Sequence, residues 1–235
     1  MSLFTSSTTQ PGMNSSFIPA AEDRARADFY SLISHFLQHP PSNDLLDGLS
    51  SAGSLGAQDA SSALEQAWQK LVTAASVTHA DAVREEFNEL FISTGTPLVN
   101  PYASLYLAGF LNEKPLANLR ADLQSLGLRR APGIYELEDH LSGLCDAMRV
   151  MITGEQGGQA QALQQQRDFF RTYIYPWYSR CLFDIRSSSG TRFYALVADF
   201  SEAFFDIEAQ AFDMIEVTQA EEMQGMNRDC MRTMP

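Results

Sequence analysis

The sequence predicts an all-α protein, a single helical domain of about ten helices. Three observations predict it. Apolar residues recur at helical spacing almost throughout, and strand-like alternation is scarce. Pro and Gly fall between the periodic stretches, where they end one helix and allow the next to start. The chain has 235 residues and 45% hydrophobic content, enough for one large domain with a sizeable core.

Met1 to Pro19 is rich in Ser and Thr, with no basic residue and no apolar block. It is read as a disordered tail over residues 1–20 and not as a secretory signal. From Ala21 to Leu37, the residues Ala25, Phe29, Leu32, Ile33 and Phe36 form one stripe, and Pro40 and Pro41 end the helix. Ser42, Asn43 and Asp44 offer caps for a short helix around Leu45 to Leu49. After a Gly/Ser break, helices are expected from Asp59 to Ala75 and from Ala80 to Phe91, the latter with Val83, Phe87, Leu90 and Phe91 on one face. Ile92 to Asn100 holds Gly95 and Pro97 and reads as a loop, and Pro101 suits the first turn of a helix from Tyr102 to Leu111. Pro115 to Leu126 is another helix, and Gly127 to Gly133 is a linker, either a seam between halves or a hinge. Glu136 to Ile152 is the clearest amphipathic helix, with Leu137, Leu141, Leu144, Met148, Met151 and Ile152 on one stripe. Gln159 to Tyr173 and Trp177 to Ile185 are helical on either side of Pro176, and Thr191 to Val217 is a long final helix. The domain is therefore placed at 21–217, with a flexible tail over 218–235.

The formal net charge of −13 disfavours nucleic acid and anionic membranes as partners and favours a cationic one. No apolar run approaches the roughly 18–20 residues that span a bilayer. The three cysteines, Cys145, Cys181 and Cys230, are far apart and include no CxxC pair, which suits free thiols in a reducing cytoplasm.

Two short motifs stand out: Pro101-Tyr102-Ala103-Ser104-Leu105-Tyr106 and Glu136-Leu137-Glu138-Asp139-His140. On a helix starting at Glu136, His140 lies at the edge of the apolar stripe, with Glu136, Asp139 and Gly143 on the flank beyond. Gly143 lets another segment approach closely. An acidic, titratable patch beside apolar surface suits a peptide bearing arginines. The other reading is structural: Glu136 and Asp139 cap the helix and His140 packs at the core edge. A third is metal or nucleotide chemistry at Glu136, Asp139 and His140. The di-iron pattern needs Glu-x-x-His twice, and no second copy exists. His35 and His39 are four apart on one helix but lack the Glu of a metalloprotease motif. No Gly-x-Ser-x-Gly elbow and no Walker loop occur. Tyr102 and Tyr106 flank Ser104 after a Pro-bearing loop, a setting in which aromatics line peptide grooves.

In order and spacing, these motifs resemble the TorD/DmsD/NarJ family of cytoplasmic chaperones for molybdenum redox enzymes. The resemblance spans about Ala21 to Phe212. Tyr30 to Pro41 resembles the opening helix and double proline, and Glu86-Phe87-Asn88-Glu89-Leu90-Phe91 the aromatic helix ending Leu-Phe. Pro101-Tyr102-x-Ser104-x-Tyr106 and Glu136-x-x-Asp139-His140 match two family signatures, and Pro176-Trp177 and Phe193-Tyr194 match later landmarks. Leu137 departs from a usual proline, and Tyr173-Ile174-Tyr175 from a common His-Leu.

The resemblance implies a cytoplasmic, non-enzymatic chaperone without cofactor or metal. It would bind the twin-arginine signal peptide and the body of a molybdopterin oxidoreductase until cofactor insertion and export. Asp139 and His140, with Glu136 beside them, would contact the peptide or the cofactor-loading site, and Leu90, Phe91, Tyr102, Ser104 and Tyr106 would build the adjoining groove. It also implies a monomer or a domain-swapped homodimer, for which the central linker leaves room. The alternative is a helical metal- or nucleotide-dependent enzyme using Glu136, Asp139 and His140.

Overall fold

The computed structural model describes residues 3–6, 20–55, 62–92, 95–111, 114–133, 136–154 and 160–232, with side chains through 214 except at 5 and 6. Among the described residues it holds ten α-helices, one π-helical turn and two strands of three residues each, so the protein is all-α.

Helix α1 (Ala21–Gln38) buries Tyr30, Ile33, Phe36 and Leu37 along α7 (Leu141–Thr153). The expected stripe is rotated slightly, because Ala25 faces solvent and Tyr30 is fully buried. Ser42 caps α2 (Asn43–Ser50) by accepting from the Leu45 N–H, and Ser62 caps α3 (Ala63–Val77) through the Glu65 N–H. The expected start at Asp59 lies outside the described residues.

α4 (Ala80–Phe87) passes directly into a π-helical turn, Asn88–Ile92. Then follow α5 (Ala103–Ala108), α6 (Lys114–Ser125), α8 (Leu163–Tyr173), α9 (Tyr178–Ser187) and α10 (Phe193–Arg232). α5 ends at Gly109, whose φ of 83° is a left-handed conformation that glycine adopts without strain. α7 is the central helix. Its residues from Leu141 to Met148 are all buried, the polar Ser142 and Asp146 included, so the helix expected to bury one stripe is buried all round. α10 packs on α3 and α9 and, less extensively, on α1 and α4.

Four segments differ from the sequence reading. Within the stretch read as an N-terminal tail, Phe4–Ser6 form β1, paired antiparallel with β2 (Leu128–Arg130). Leu3 and Phe4 are buried, worth roughly 1.5–3 kcal/mol each. The buried Asp146 carboxylate accepts both of their N–H groups, at 2.5 and 3.1 Å. Periodicity cannot show a three-residue strand held by an aspartate far along the chain. β2 lies inside the stretch read as a linker. Pro101 stands before α5, not in its first turn, because its carbonyl accepts the Leu141 N–H at 2.8 Å. α10 runs to Arg232, past the boundary expected at Val217.

Candidate functional site

The two motifs meet. Tyr102 and His140 form an isolated antiparallel bridge. The Ala103 N–H donates to the Asp139 carbonyl at 2.9 Å, and the Leu141 N–H donates to the Pro101 carbonyl at 2.8 Å. This clasp explains why the helix expected from Glu136 begins instead at Leu141. The Asp139 carbonyl and the Leu141 N–H are spent on Ala103 and Pro101, the His140 N–H turns back to the Leu137 carbonyl, and His140 is extended at φ −63°, ψ 140°. Helix geometry therefore does not relate Glu136, Asp139 and His140. The close approach expected at Gly143 is present, and the approaching group is backbone of this same turn. A Cβ at Gly143 would lie 2.9 Å from the Glu138 carbonyl oxygen, so the turn packs directly on the first turn of α7.

The cap of α7 is His140. Its Nδ1 accepts the Ser142 N–H at 3.2 Å, which puts the ring proton on Nε2, and it also meets the Ser142 Oγ at 2.6 Å. Burial holds the imidazole neutral, pushing its pKa down to about 4 against the opposing pull of Glu136 and Asp139. Asp139 is 1% exposed and serves a different helix. Its Oδ2 accepts the Ser104 N–H at 2.9 Å, inside the first turn of α5. Among the described residues, Asp139 Oδ1 and Ser104 Oγ are buried with no hydrogen-bond partner. The helical spacing puts His140 at the edge of the apolar stripe and Asp139 on the flank beyond. Both are buried, so that expectation is corrected: each is a structural capping group as well as a site candidate.

Glu136 and Tyr102 remain half-exposed. The Tyr102 hydroxyl donates to Glu136 Oε1, and its ring meets the His140 ring edge-to-face at 4.9 Å. Burial first, then Glu136, raises the Tyr102 pKa well above its usual value. Tyr106 turns the other way, to α9. Its hydroxyl donates to Asp184 Oδ2 at 2.8 Å, and its ring stacks on Trp177 at 5.2 Å. Past it, Leu107, Phe110 and Leu111 are exposed along the end of α5.

Leu90 and Phe91 sit apart from this clasp. Leu90 is buried, and its carbonyl accepts the Val99 N–H at 3.0 Å. Phe91 packs against Phe87 and Tyr194 at 5.2 and 5.4 Å. Contacts thus join Tyr102, Ser104, Glu136, Asp139 and His140, while Phe91 packs the π-helical turn against α10 and Leu90 holds Val99. Sequence reasoning missed Ser142, Asp184 and Glu138. Glu138 is held by Arg120 at 2.8 Å and Arg130 at 3.7 Å. It also missed Glu86, whose carboxylate accepts the N–H groups of Arg192, Phe193 and Tyr194 at 2.7–3.1 Å and so caps α10 from α4. No local motif signals a cap supplied from about a hundred residues away.

Ser142 and His140 have the spacing of a nucleophile and its base. Ser142 is fully buried, however, and an imidazole with a pKa near 4 is a weak base at neutral pH. Among the described residues no group of three or more His, Cys, Asp or Glu gathers to hold a metal. Glu136, Asp139 and His140 turn to three separate partners, and His35 and His39 pack ring to ring at 6.1 Å. Cys145 and Cys181 are buried free thiols, and the Cys230 side chain lies outside the described residues.

Comparison with known proteins gives two matches. The family model of the nitrate reductase delta subunit matches residues 57–182, more than half of the chain, including every residue of the clasp. The chaperone protein TorD of Vibrio parahaemolyticus is 26% identical over 131 residues, covering 53% of this chain and 61% of that protein. The match thus spans less than two thirds of that relative.

Proposed function

The chain belongs to the nitrate reductase delta subunit family, and from that premise we propose that it is a maturation chaperone for a molybdenum redox enzyme. In this reading it binds the twin-arginine signal peptide and the apo form of its client in the cytoplasm until cofactor insertion and export. It acts by holding a peptide and catalyses no reaction. No described helix is long and apolar enough to cross a membrane, so the membrane has no part in the proposal.

The clasp between Tyr102 and His140 carries the reading. It fixes a carboxylate, Glu136, and an aromatic ring, Tyr102, side by side at a half-exposed edge. A guanidinium suits both, through a charge-assisted hydrogen bond to the carboxylate and a cation–π contact with the ring. The exposed Leu107 on α5, with Phe110 and Leu111 in the turn just past its end, suits the apolar stretch that follows the arginines. Buried Asp139, His140 and Ser104 hold this edge in place and leave contact to their neighbours.

Calorimetric titration of a twin-arginine peptide tests the proposal. Binding is expected, with a loss of about tenfold in Glu136→Gln and in Tyr102→Ala, the scale of one charge-assisted contact. Absence of binding, or equal affinity for a peptide with both arginines replaced by glutamine, overturns it.

A further inference from the structure

We propose that the groove between β2 and α7, filled here by β1, is an exchangeable docking site for an extended apolar segment of a partner protein. The chain's own residues 3–6 show what the groove accepts. Leu3 and Phe4 are both buried. Phe4–Ser6 pair antiparallel with Leu128–Arg130, and the Leu3 carbonyl accepts the Ala131 N–H at 2.7 Å. On the other side, α7 supplies Asp146, whose Oδ2 accepts the Leu3 N–H at 2.5 Å and the Phe4 N–H at 3.1 Å. Asp146 is itself buried, and Arg149 Nε holds its Oδ1 at 2.9 Å.

Such a groove reads a segment in two ways. The β2 edge and the Asp146 carboxylate meet main-chain groups, which every residue except proline supplies in full. The buried places of Leu3 and Phe4 add selectivity. A fitting segment is therefore extended, carries two adjacent large apolar residues and has proline at neither. The groove differs from the Glu136–Tyr102 edge, because no guanidinium of the partner takes part.

Three features make β1 replaceable. It has three residues, where strands commonly have about 5–6. Ser6 pairs with Leu128, far along the chain, so no hairpin turn holds the strands in register. β1 packs on β2 and α7, and these keep their own contacts when it leaves, β2 on α6 and α7 on α1 and α8. Short units with few partners open before the rest of a fold. Departure unpairs the β2 edge and strips a buried carboxylate of two donors, both unfavourable, so the groove selects a new occupant of the same chemistry. The tethered β1 competes with any free segment and guards the site.

Fluorescence anisotropy with a labelled peptide of residues 1–6 tests this. Saturable binding is expected to the full chain carrying Leu3→Asp and Phe4→Asp together, which frees the groove. Binding to the parent chain should be about tenfold weaker or more, because its own strand competes. The peptide methylated on the Leu3 and Phe4 nitrogens cannot donate to Asp146 and should lose about tenfold or more, and the peptide with serine at both positions should not bind. Hydrogen exchange of the parent chain needs no variant: the Leu3 and Phe4 amides should exchange faster than those of Leu144 to Met148 in α7. No saturable binding to the double variant, equal binding of the methylated or serine peptide, or exchange of the Leu3 and Phe4 amides in step with α7 overturns the proposal. A parent dimer that falls apart in the double variant assigns the groove to a second copy of the chain and overturns it as well.

Discussion

His140 and Asp139 are two buried polar residues with opposite consequences. His140 is neutral when folded because burial lowers its pKa from 6.5 to about 4. Unfolding restores the ordinary value, so between about pH 6.5 and pH 4 the unfolded chain binds more protons. Stability from this group is therefore present above about pH 6.5 and is lost as pH falls toward 4, by on the order of 3 kcal/mol. Asparagine can still accept the Ser142 N–H but cannot titrate in this range. Urea unfolding of His140→Asn should show a shallower loss between pH 7 and pH 4 than the parent, and equal slopes would remove His140 as the cause. Asp139 acts through one hydrogen bond, its Oδ2 with the Ser104 N–H. Asp139→Ala strands that buried donor and should cost about 1–3 kcal/mol, whereas Asp139→Asn keeps an acceptor and should cost less. Equal melting temperatures for the two variants would mean that the hydrogen bond contributes nothing.

Five helices, α2, α3, α5, α7 and α10, begin where a side chain receives free N–H groups, and the source of that side chain decides what sequence can reveal. Ser42 and Ser62 cap their own helices, and the local pattern around Ser42 was legible. Glu86 caps α10 from α4, and Asp139 caps α5 from the turn before α7. Those caps depend on the assembled fold, so no window of sequence contains them. The boundary errors follow the same division. The start at Glu136 fits the apolar spacing, because Leu137 continues the stripe of Leu141 and Leu144, but the Pro101–Ala103 backbone claims the Asp139 carbonyl and the Leu141 N–H. A carboxylate on three N–H groups also meets the positive end of the longest helix. Glu86→Ala should therefore destabilise the protein by about 2 kcal/mol, the upper end for a lost cap, and Glu86→Gln by less. Thermal melts of both variants check this, and unchanged melting in Glu86→Ala would show that solvent caps α10 as well.

Across the whole molecule, the all-α architecture was legible because α1, α4 and α9 each bury a stripe that repeats with the helical period. The meeting of the two motifs was legible only as resemblance, since the bridge between Tyr102 and His140 is tertiary. The charge, by contrast, needs no fold. A net −13 surrounds every site with a negative field that draws a cationic peptide and slows its escape. That attraction is long-ranged and screened by salt, unlike the contacts proposed for a guanidinium at Glu136 and an apolar side chain at Phe110. The Debye length falls from about 30 Å at about 0.01 M salt to about 8 Å at about 0.15 M. Over that range the affinity for a twin-arginine peptide should fall by about tenfold and then level off as the apolar contacts remain. The same peptide with glutamines in place of arginines should show little salt dependence. Because the field comes from the whole chain, Glu136→Gln should lower the affinity at every salt concentration and leave the slope nearly unchanged. Calorimetry across the salt series separates the two contributions: a slope that disappears in Glu136→Gln would assign the attraction to one carboxylate and not to the molecule.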